Sequence, residues 1–257
     1  MKKSFFYAAF AAVMTLFVSC LDSEEDNTRY LQGAFTIQNG AGSVVMYMDG
    51  GNVVYPTASS VAALTDGKGF GSVQRALLTL TYFEESATQN TDGTYVIRDA
   101  ELKSGGKIPV HNFLTLDQAQ AQNVLATDSV FSIDGLNQTN GVWLYKGYMT
   151  VTYQTTYGVR NSKYVIPTLN ATYQYDENNP SVVDVTLVLN KHLSKGDMTV
   201  GSTELLDSFD LTMLKFKHPE LATGEVTFNI NYKTADGNKS VTRKIKSNDF
   251  SFPFQGL

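Results

Sequence analysis

Residues 143–157 read WLYKGYMTVTYQTTY, a stretch in which apolar and polar side chains largely alternate. One parity of this stretch carries Trp143, Tyr145, Met149, Val151, Tyr153 and Tyr157. A period of two is typical of a β-strand with one buried face, because successive side chains point to opposite faces of a sheet. The stretch therefore predicts one long strand whose aromatic face lies against a core.

The chain on the carboxyl side of this strand repeats the pattern. Further strands are predicted over residues 163–175, 182–190, 205–216, 224–234 and 240–246. Asp236-Gly237 lies between the last two of them and favours a hairpin turn. Alternating strands without a long helix predict an antiparallel β-sandwich over residues 126–257.

The part of the chain before residue 126 is also rich in strand patterns. Strands are predicted over residues 34–37, 44–48, 52–55, 74–83, 95–97, 100–103 and 107–113, with short helical turns at 59–64 and 116–125. Asp49-Gly50-Gly51 favours a hairpin turn, since glycine accepts a positive φ angle. So many short strands fit a small OB-like β-barrel over residues 28–125, and the turn at 116–125 is expected at the domain junction. The predicted fold class is all-β.

The N-terminus has the features of an export signal. Lys2 and Lys3 supply positive charge, and an apolar run over residues 5–18 follows. That run is too short for a bilayer span, which takes about 20 residues. Residues 1–19 are therefore predicted to be a cleaved lipoprotein signal peptide.

Cys20 is the one cysteine of the chain and directly follows Ser19. A small residue before a cysteine resembles the bacterial lipobox, although Phe17 stands where that motif usually has leucine. The resemblance implies that the Cys20 thiol carries the lipid. A membrane is thus the first expected partner, and no disulfide can form within one chain.

Residues 20–27 are polar and acidic, with Asp22, Glu24, Glu25 and Asp26 in close succession. Like charges repel one another, so this segment is expected to act as a flexible tether. An acidic stretch after the lipidated cysteine also resembles the surface-export signal of Bacteroidetes lipoproteins. An ordinary solubilising linker is the alternative. The expected location is the outer membrane, on either the cell-surface or the periplasmic side.

Composition and motifs argue against several functions. The formal net charge is −5, which disfavours a nucleic-acid partner because phosphate contacts need clustered basic residues. His111, His192 and His218 have no metal-ligand spacing, so neither a metal nor a cofactor is predicted. No nucleophile elbow, P-loop or dinucleotide fingerprint is present in the sequence. We predict no catalytic residue and no enzyme.

Two further features of the sequence have both a structural and a functional interpretation. Residues 176–180, DENNP, carry oxygen ligands that suit calcium but lack the EF-hand order, so a plain loop is favoured. Trp143, Tyr148 and Tyr157 would form a sugar-stacking platform if they were exposed, but aromatic residues of strands more often pack in cores.

The layout resembles the NigD-like lipoproteins of Bacteroidetes. The matching features are the lipobox with its acidic tail and the stretches at residues 48–51, 74–78 and 143–151. The resemblance implies an N-terminal OB-like domain, a C-terminal β-sandwich and a non-catalytic binding or protective role. One relative has been proposed as a bacteriocin immunity protein.

Two alternatives remain open at this point. The first is a surface lipoprotein that binds a glycan or a peptide. The second is a fimbrillin-like structural subunit that polymerises by strand exchange. Arg29 is the only early arginine, and no removable first strand follows a cleavage site, which argues against the second alternative. The sequence does not identify ligand-binding residues, and the protein or glycan partner stays unknown.

Overall fold

A computed structural model describes residues 27–40, 43–125, 130–133, 135–136, 140–190, 192, 197–222, 224–246 and 249. The predicted signal peptide, Cys20 and the acidic tether up to Asp26 lie outside the described residues. The described chain forms two compact units, which meet in sequence between Val110 and His111. This boundary lies earlier than the one between residues 125 and 126 that the sequence predicted.

The first unit contains a closed β-barrel. Its elements are β1 (Thr28–Asn39), β2 (Val44–Met48), β3 (Val53–Pro56), α1 (Ala58–Leu64), β4 (Arg75–Phe83), β5 (Ala87–Gln89) and β6 (Tyr95–Lys107). The strand order is β3-β2-β1-β4-β6, and a parallel pairing of β3 with β6 closes the ring. The prediction of an all-β chain that starts with a small barrel is confirmed, and α1 occupies the predicted helical turn.

The barrel core follows from the alternation of its strands. The inward positions hold Phe35, Ile37, Met46, Met48, Val54, Leu78, Leu80 and Ile97. Two strands predicted at 100–103 and 107–113 differ from the structure, since β6 runs unbroken to Lys107. Glycine is required at Gly105, because a methyl group there would overlap the Leu78 side chain. That requirement explains a glycine within a long strand.

The second unit contains two sheets. Its elements are β7 (Val110–Asn112), α2 (Leu116–Ala121), β8 (Val130–Phe131), β9 (Val142–Tyr145), β10 (Tyr148–Arg160), β11 (Lys163–Val165), β12 (Thr168–Tyr175), β13 (Val182–Asn190), β14 (Met198–Asp210), α3 (Leu211–Lys217), β15 (Glu225–Thr234) and β16 (Gly237–Lys246). One sheet has the order β11-β10-β14-β7, with β9 also on β10. The other has the order β12-β13-β15-β16, with β8 also on β13.

The two sheets share one hydrophobic core, which makes the unit a β-sandwich as predicted. Met149, Val151, Tyr153 and Phe209 come from the first sheet, and Leu169, Val185, Leu187, Phe228 and Ile230 come from the second. The pairing of β13 with β15 is parallel, so the sandwich is not wholly antiparallel. The cause is that β14, which lies between them in sequence, belongs to the other sheet.

The stretch 143–157 is a hairpin rather than the single strand predicted. Lys146 and Gly147 have φ angles of 32° and 87° and form a two-residue turn between β9 and β10. The turn reverses the parity, so Val142 is buried and Leu144 packs on the core instead of Trp143 and Tyr145. The prediction for Met149, Val151 and Tyr153 is correct.

The strand predicted over residues 205–216 is wrong in its second part. β14 ends at Asp210, whose side chain caps α3 by accepting a hydrogen bond from the Thr212 amide at 2.7 Å. Leu211 and Leu214 then share the buried face of one helical turn. Helix α2, predicted at a domain junction, instead packs within the second unit, where Ala119 contacts Val188.

Candidate functional site

The second unit carries an open groove of about 510 Å³ on one sheet and the adjacent helix. It lies where β12 ends, β13 begins and α2 starts. Its lining residues are Thr115, Leu116, Asp117, Tyr173, Gln174, Tyr175, Asp176, Asn179, Val182 and Asp184. We call this feature the acidic groove.

Backbone hydrogen bonds hold one wall of the acidic groove in place. The Leu114 amide donates to the Ala171 carbonyl at 2.9 Å, and the Tyr173 amide donates to the Leu114 carbonyl at 3.0 Å. Thr115 and Gln118 then form a reciprocal capping box at the start of α2. These contacts fix Asp117 in the first turn of the helix, beside the end of β12.

The opposite wall is the loop between β12 and β13. The Asp176 carboxylate accepts hydrogen bonds from the Asn178 amide at 2.9 Å and from the Asn178 side chain at 3.0 Å. The Asn179 amide donates to the Asp176 carbonyl at 2.9 Å. Residues 176–180 therefore form the plain loop that the sequence favoured, and this loop places Asp176 and Asn179 on the groove.

The charged residues that line the acidic groove are all acidic. Asp117, Asp176 and Asp184 line it, and none of its lining residues, all in the described part of the chain, is basic. The Asp184 side chain accepts one hydrogen bond from Asn229 at 3.0 Å. All three carboxylates lie on exposed residues, so they are available to solvent. Such a concave, negative surface favours cations and hydrogen-bond donors.

An aromatic cluster lies next to the groove. The Tyr173 hydroxyl is 3.1 Å from the His218 Nε2 atom, and the Tyr175 ring centroid is 4.3 Å from that of His218. Burial raises the pKa of Tyr175 to about 12, and the nearby Glu220 carboxylate adds to this. Tyr173 and Tyr175 therefore stay protonated and present neutral rings to the groove at physiological pH.

A second polar cluster joins three strands of the other sheet. The His111 Nε2 atom on β7 is 2.8 Å from Asp207 Oδ1 on β14, and the Tyr153 hydroxyl on β10 donates to Asp207 Oδ2 at 2.7 Å. Asp207 is only 6% exposed. Burial and then the neighbouring Asp207 carboxylate raise the pKa of Tyr153. Because Tyr153 keeps its proton and donates a hydrogen bond to Asp207, the cluster forms a hydrogen-bonded brace between the three strands.

The sequence analysis missed this cluster, although it contained a signal. Asp207 has the same strand parity as Leu205 and Phe209, and an aspartate on an apolar strand face needs a buried partner. The partners are far away in sequence, since His111 and Asp207 are 96 positions apart. Alternation alone does not identify them.

We predict that Tyr153→Phe lowers the free energy of unfolding by about 1–3 kcal/mol, because it deprives a buried carboxylate of a donor. Urea unfolding measures the change, and Tyr164→Phe, at a residue 63% exposed, is the matched control.

An exposed tyrosine ionises near pH ~10. The raised pKa of Tyr153 in the folded state therefore contributes stability below that pH, and this contribution is lost as the pH rises. An equal effect of both substitutions would contradict the brace.

The barrel contains a buried ion pair that connects two of the stretches quoted above. Arg75, at the start of β4, contacts the carboxylate of Asp49 through both terminal nitrogens, at 2.5 Å each. The two side chains are 0% and 5% exposed. The Arg75 guanidinium also donates to the Thr36 hydroxyl at 3.0 Å on the intervening strand β1. The bridge thus crosses one strand of the barrel wall.

The structure separates the other residues that the sequence analysis singled out. Tyr148 is buried, as the packing interpretation expected, and Trp143 and Tyr157 are partly buried. The Tyr157 ring packs edge-on against Tyr164 at a centroid distance of 5.6 Å. The His192 Nε2 atom lies 2.7 Å from the Thr168 hydroxyl oxygen. This contact is a hydrogen bond and not a set of metal ligands. Cys20 lies outside the described residues.

The described ranges of the chain lack two features that would indicate a function. No three or more His, Cys, Asp or Glu side chains in those ranges gather to hold a metal ion. Within the same residues, no helix has the length and apolar character that crossing a bilayer requires.

The fold is a small closed barrel followed by a two-sheet sandwich, and this defines a class of protein. Solved structures share this fold. A protein described as toxin-related from Parabacteroides distasonis aligns with a TM-score of 0.57 and 17% identity, over 86% of this chain and 95% of its own. A NigD-like immunity protein from Bacteroides caccae aligns with a TM-score of 0.51 and 15% identity, over 86% of this chain and 94% of its own. No protein-family model and no curated protein sequence matches the chain. The NigD-like resemblance predicted from sequence is thus confirmed in the fold.

Proposed function

We propose that this chain is a non-catalytic, lipid-anchored binding protein of the bacterial cell envelope. The observation that carries the anchor is the leader that ends in Ser19-Cys20 and is followed by an acidic segment. The fold shared with an immunity protein and with a toxin-related protein supports a binding or protective role. The outer membrane is the proposed location, on either face.

The anchor would hold the protein firmly. Each buried methylene group contributes about 0.8 kcal/mol, and one acyl chain alone gives marginal, reversible binding. A bacterial lipoprotein carries up to three acyl chains on its terminal cysteine, so attachment through Cys20 would be effectively permanent. The acidic residues after Cys20 would then form a flexible link between the lipid and the folded units.

We infer that the acidic groove is the binding site and that its ligand is a basic segment of a protein partner. Three carboxylates without a basic neighbour in the lining carry this inference. A lysine or arginine side chain forms charge-assisted hydrogen bonds with carboxylates, which are about twice as strong as neutral ones. Gln174 and Asn179 at the same surface supply neutral partners for the peptide backbone of such a ligand.

We predict that Asp117→Asn, Asp176→Asn and Asp184→Asn combined weaken binding of a basic peptide about tenfold or more. The amides keep the shape of the groove and remove its charge. Each exposed charge pair contributes up to about 1 kcal/mol, and about 1.4 kcal/mol corresponds to a factor of ten. Titration of a tetralysine peptide followed by NMR measures the dissociation constant.

The matched control removes the same charge elsewhere, by Asp66→Asn, Asp92→Asn and Asp236→Asn at exposed loop positions. Equal losses in both variants would reduce the effect to net charge and contradict the site. Shifts of groove resonances with a neutral maltooligosaccharide but not with tetralysine would contradict the ligand class and favour a glycan.

A further inference from the structure

The exposed aromatic residues of the barrel gather at one end. Tyr30, Phe83 and Tyr95 are 64%, 54% and 38% exposed. Among the described residues of the first unit, these are the large hydrophobic side chains that face solvent. Scattered exposed apolar residues are ordinary, but their collection at one place marks an interaction surface. We call these three residues the aromatic rim.

The strand register puts two members of the rim on one outward face. Thr28 pairs with Phe83, and Tyr30 pairs with Thr81, so Tyr30 and Phe83 are diagonal neighbours across β1 and β4. Diagonal positions lie roughly 7–8 Å apart, within reach of aromatic side chains. The opposite parity carries Leu31 and Tyr82, which pack on the barrel core. Tyr30 and Phe83 therefore point away from that core.

Tyr95 belongs to the same end of the barrel. Burial raises the pKa of Tyr82, Tyr95 close by raises it further, and Arg29 lowers it. β6 begins at Tyr95 and runs antiparallel to β4, which ends at Phe83. Tyr95 therefore lies at the same end of the barrel as the other two members of the rim.

The chain enters the barrel at this end. β1 begins at Thr28, and the segment from Cys20 to Thr28 spans at most about 28 Å when fully extended. If Cys20 carries lipid, the rim is the part of the barrel that stays nearest to the bilayer. The length of chain before β1 and the place where it ends thus select a lipid surface as the occupant.

We propose that the aromatic rim rests in the interfacial layer of the bilayer that holds the anchor. This inference rests on the proposed lipid anchor at Cys20. Tyrosine suits this layer because one end of its ring is apolar and the other is polar, and aromatic residues are enriched there.

The charges near the rim determine the kind of lipid. Arg29 forms an ion pair with Glu84 at 2.5 Å, so its charge is matched by a carboxylate. Glu85 and Asp92, in the turns after Phe83 and before Tyr95, are exposed. The contact is therefore apolar in origin, and anionic lipid weakens it. This is the opposite of the behaviour of a polybasic membrane site.

The test uses the mature lipidated protein in phosphatidylcholine vesicles. Cys20 is acylated, so a single introduced thiol takes an environment-sensitive dye, either at Thr28→Cys beside the rim or at Lys107→Cys, the exposed end of β6 away from Tyr95. We expect a spin-labelled lipid to quench the dye at position 28 and not the dye at position 107. Tyr30→Ser with Phe83→Ser lowers the equilibrium constant for contact by about tenfold or more, whereas Tyr164→Ser leaves it unchanged.

A second arm separates this proposal from the anchor. A hexahistidine tag in place of residues 1–20 removes the lipid site and holds the chain on vesicles that contain a nickel-chelating lipid. Quenching at position 28 that falls when phosphatidylserine is added supports the rim even if mass spectrometry finds no lipid on Cys20. Equal accessibility of positions 28 and 107 in both arms, with both variants folded by circular dichroism, would overturn the proposal.

Discussion

Arg75→Met lowers the free energy of unfolding of the barrel by about 3–5 kcal/mol, which is the usual effect of removing one partner of a buried ion pair. The substitution leaves the Asp49 carboxylate, 5% exposed, without its guanidinium. It also removes the bond from Arg75 to the Thr36 hydroxyl. A loss of this size is a large part of the stability of a small domain, which is about 5–15 kcal/mol.

Calorimetry of the full mature chain measures this change, and two further variants define its origin. In Arg29→Met, the matched control, the lost ion pair is with Glu84, whose side chain is 61% exposed, so we expect less than about 1 kcal/mol. Replacing both Arg75 and Asp49 by apolar residues should restore much of the loss, because no buried charge is then left unpaired. A loss below about 1 kcal/mol for Arg75→Met would contradict the buried pair.

Cys20→Ala moves the protein from the membrane fraction to the soluble fraction, or stops its processing before residue 20. The substitution removes the thiol that accepts the first lipid, and the remaining chain offers no other cysteine. Detergent phase partitioning measures the shift, which we expect to be nearly complete because several acyl chains are lost together. The aromatic rim alone contributes too little to hold the protein on a bilayer.

Ser23→Ala is the control for this substitution, since it changes the tether and leaves the lipobox intact. Mass spectrometry of the native protein supplies an independent result, namely the mass of the N-terminal peptide. Unchanged partitioning of the Cys20→Ala protein, or a native chain that starts well beyond residue 20, would contradict the anchor.

The sequence predicted the strands well because their physical cause is local. Alternation reports burial of one face, and glycine-containing turns such as Asp49-Gly50-Gly51 mark where strands end. The hairpin at Lys146-Gly147 was hidden because Trp143 and Tyr145 continue the apolar parity of the later strand, although the turn places them on the other face. Helix α3 was hidden because its seven residues are too few to establish a helical period after a strand.

The candidate sites are built from side chains of different strands, and a local sequence pattern does not show which strands lie side by side. Asp207 lies between apolar neighbours, but its partners His111 and Tyr153 arrive from other strands. Asp49 and Arg75 were noted as parts of two separate motifs, and only the barrel register brings them together. The acidic groove likewise combines the start of a helix with the end of a strand, and no local sequence pattern connects the two.

The parallel pairing of β13 with β15 has a consequence for how the protein is made. Val182 leaves the ribosome well before Glu225, so the sheet lacks its middle pair until residues 225–234 have been synthesised. Partners so distant along the chain slow folding, because a long loop must close before the contact forms. A nascent or truncated chain that ends before residue 225 exposes the apolar edge of β13, and such an edge invites pairing with another molecule.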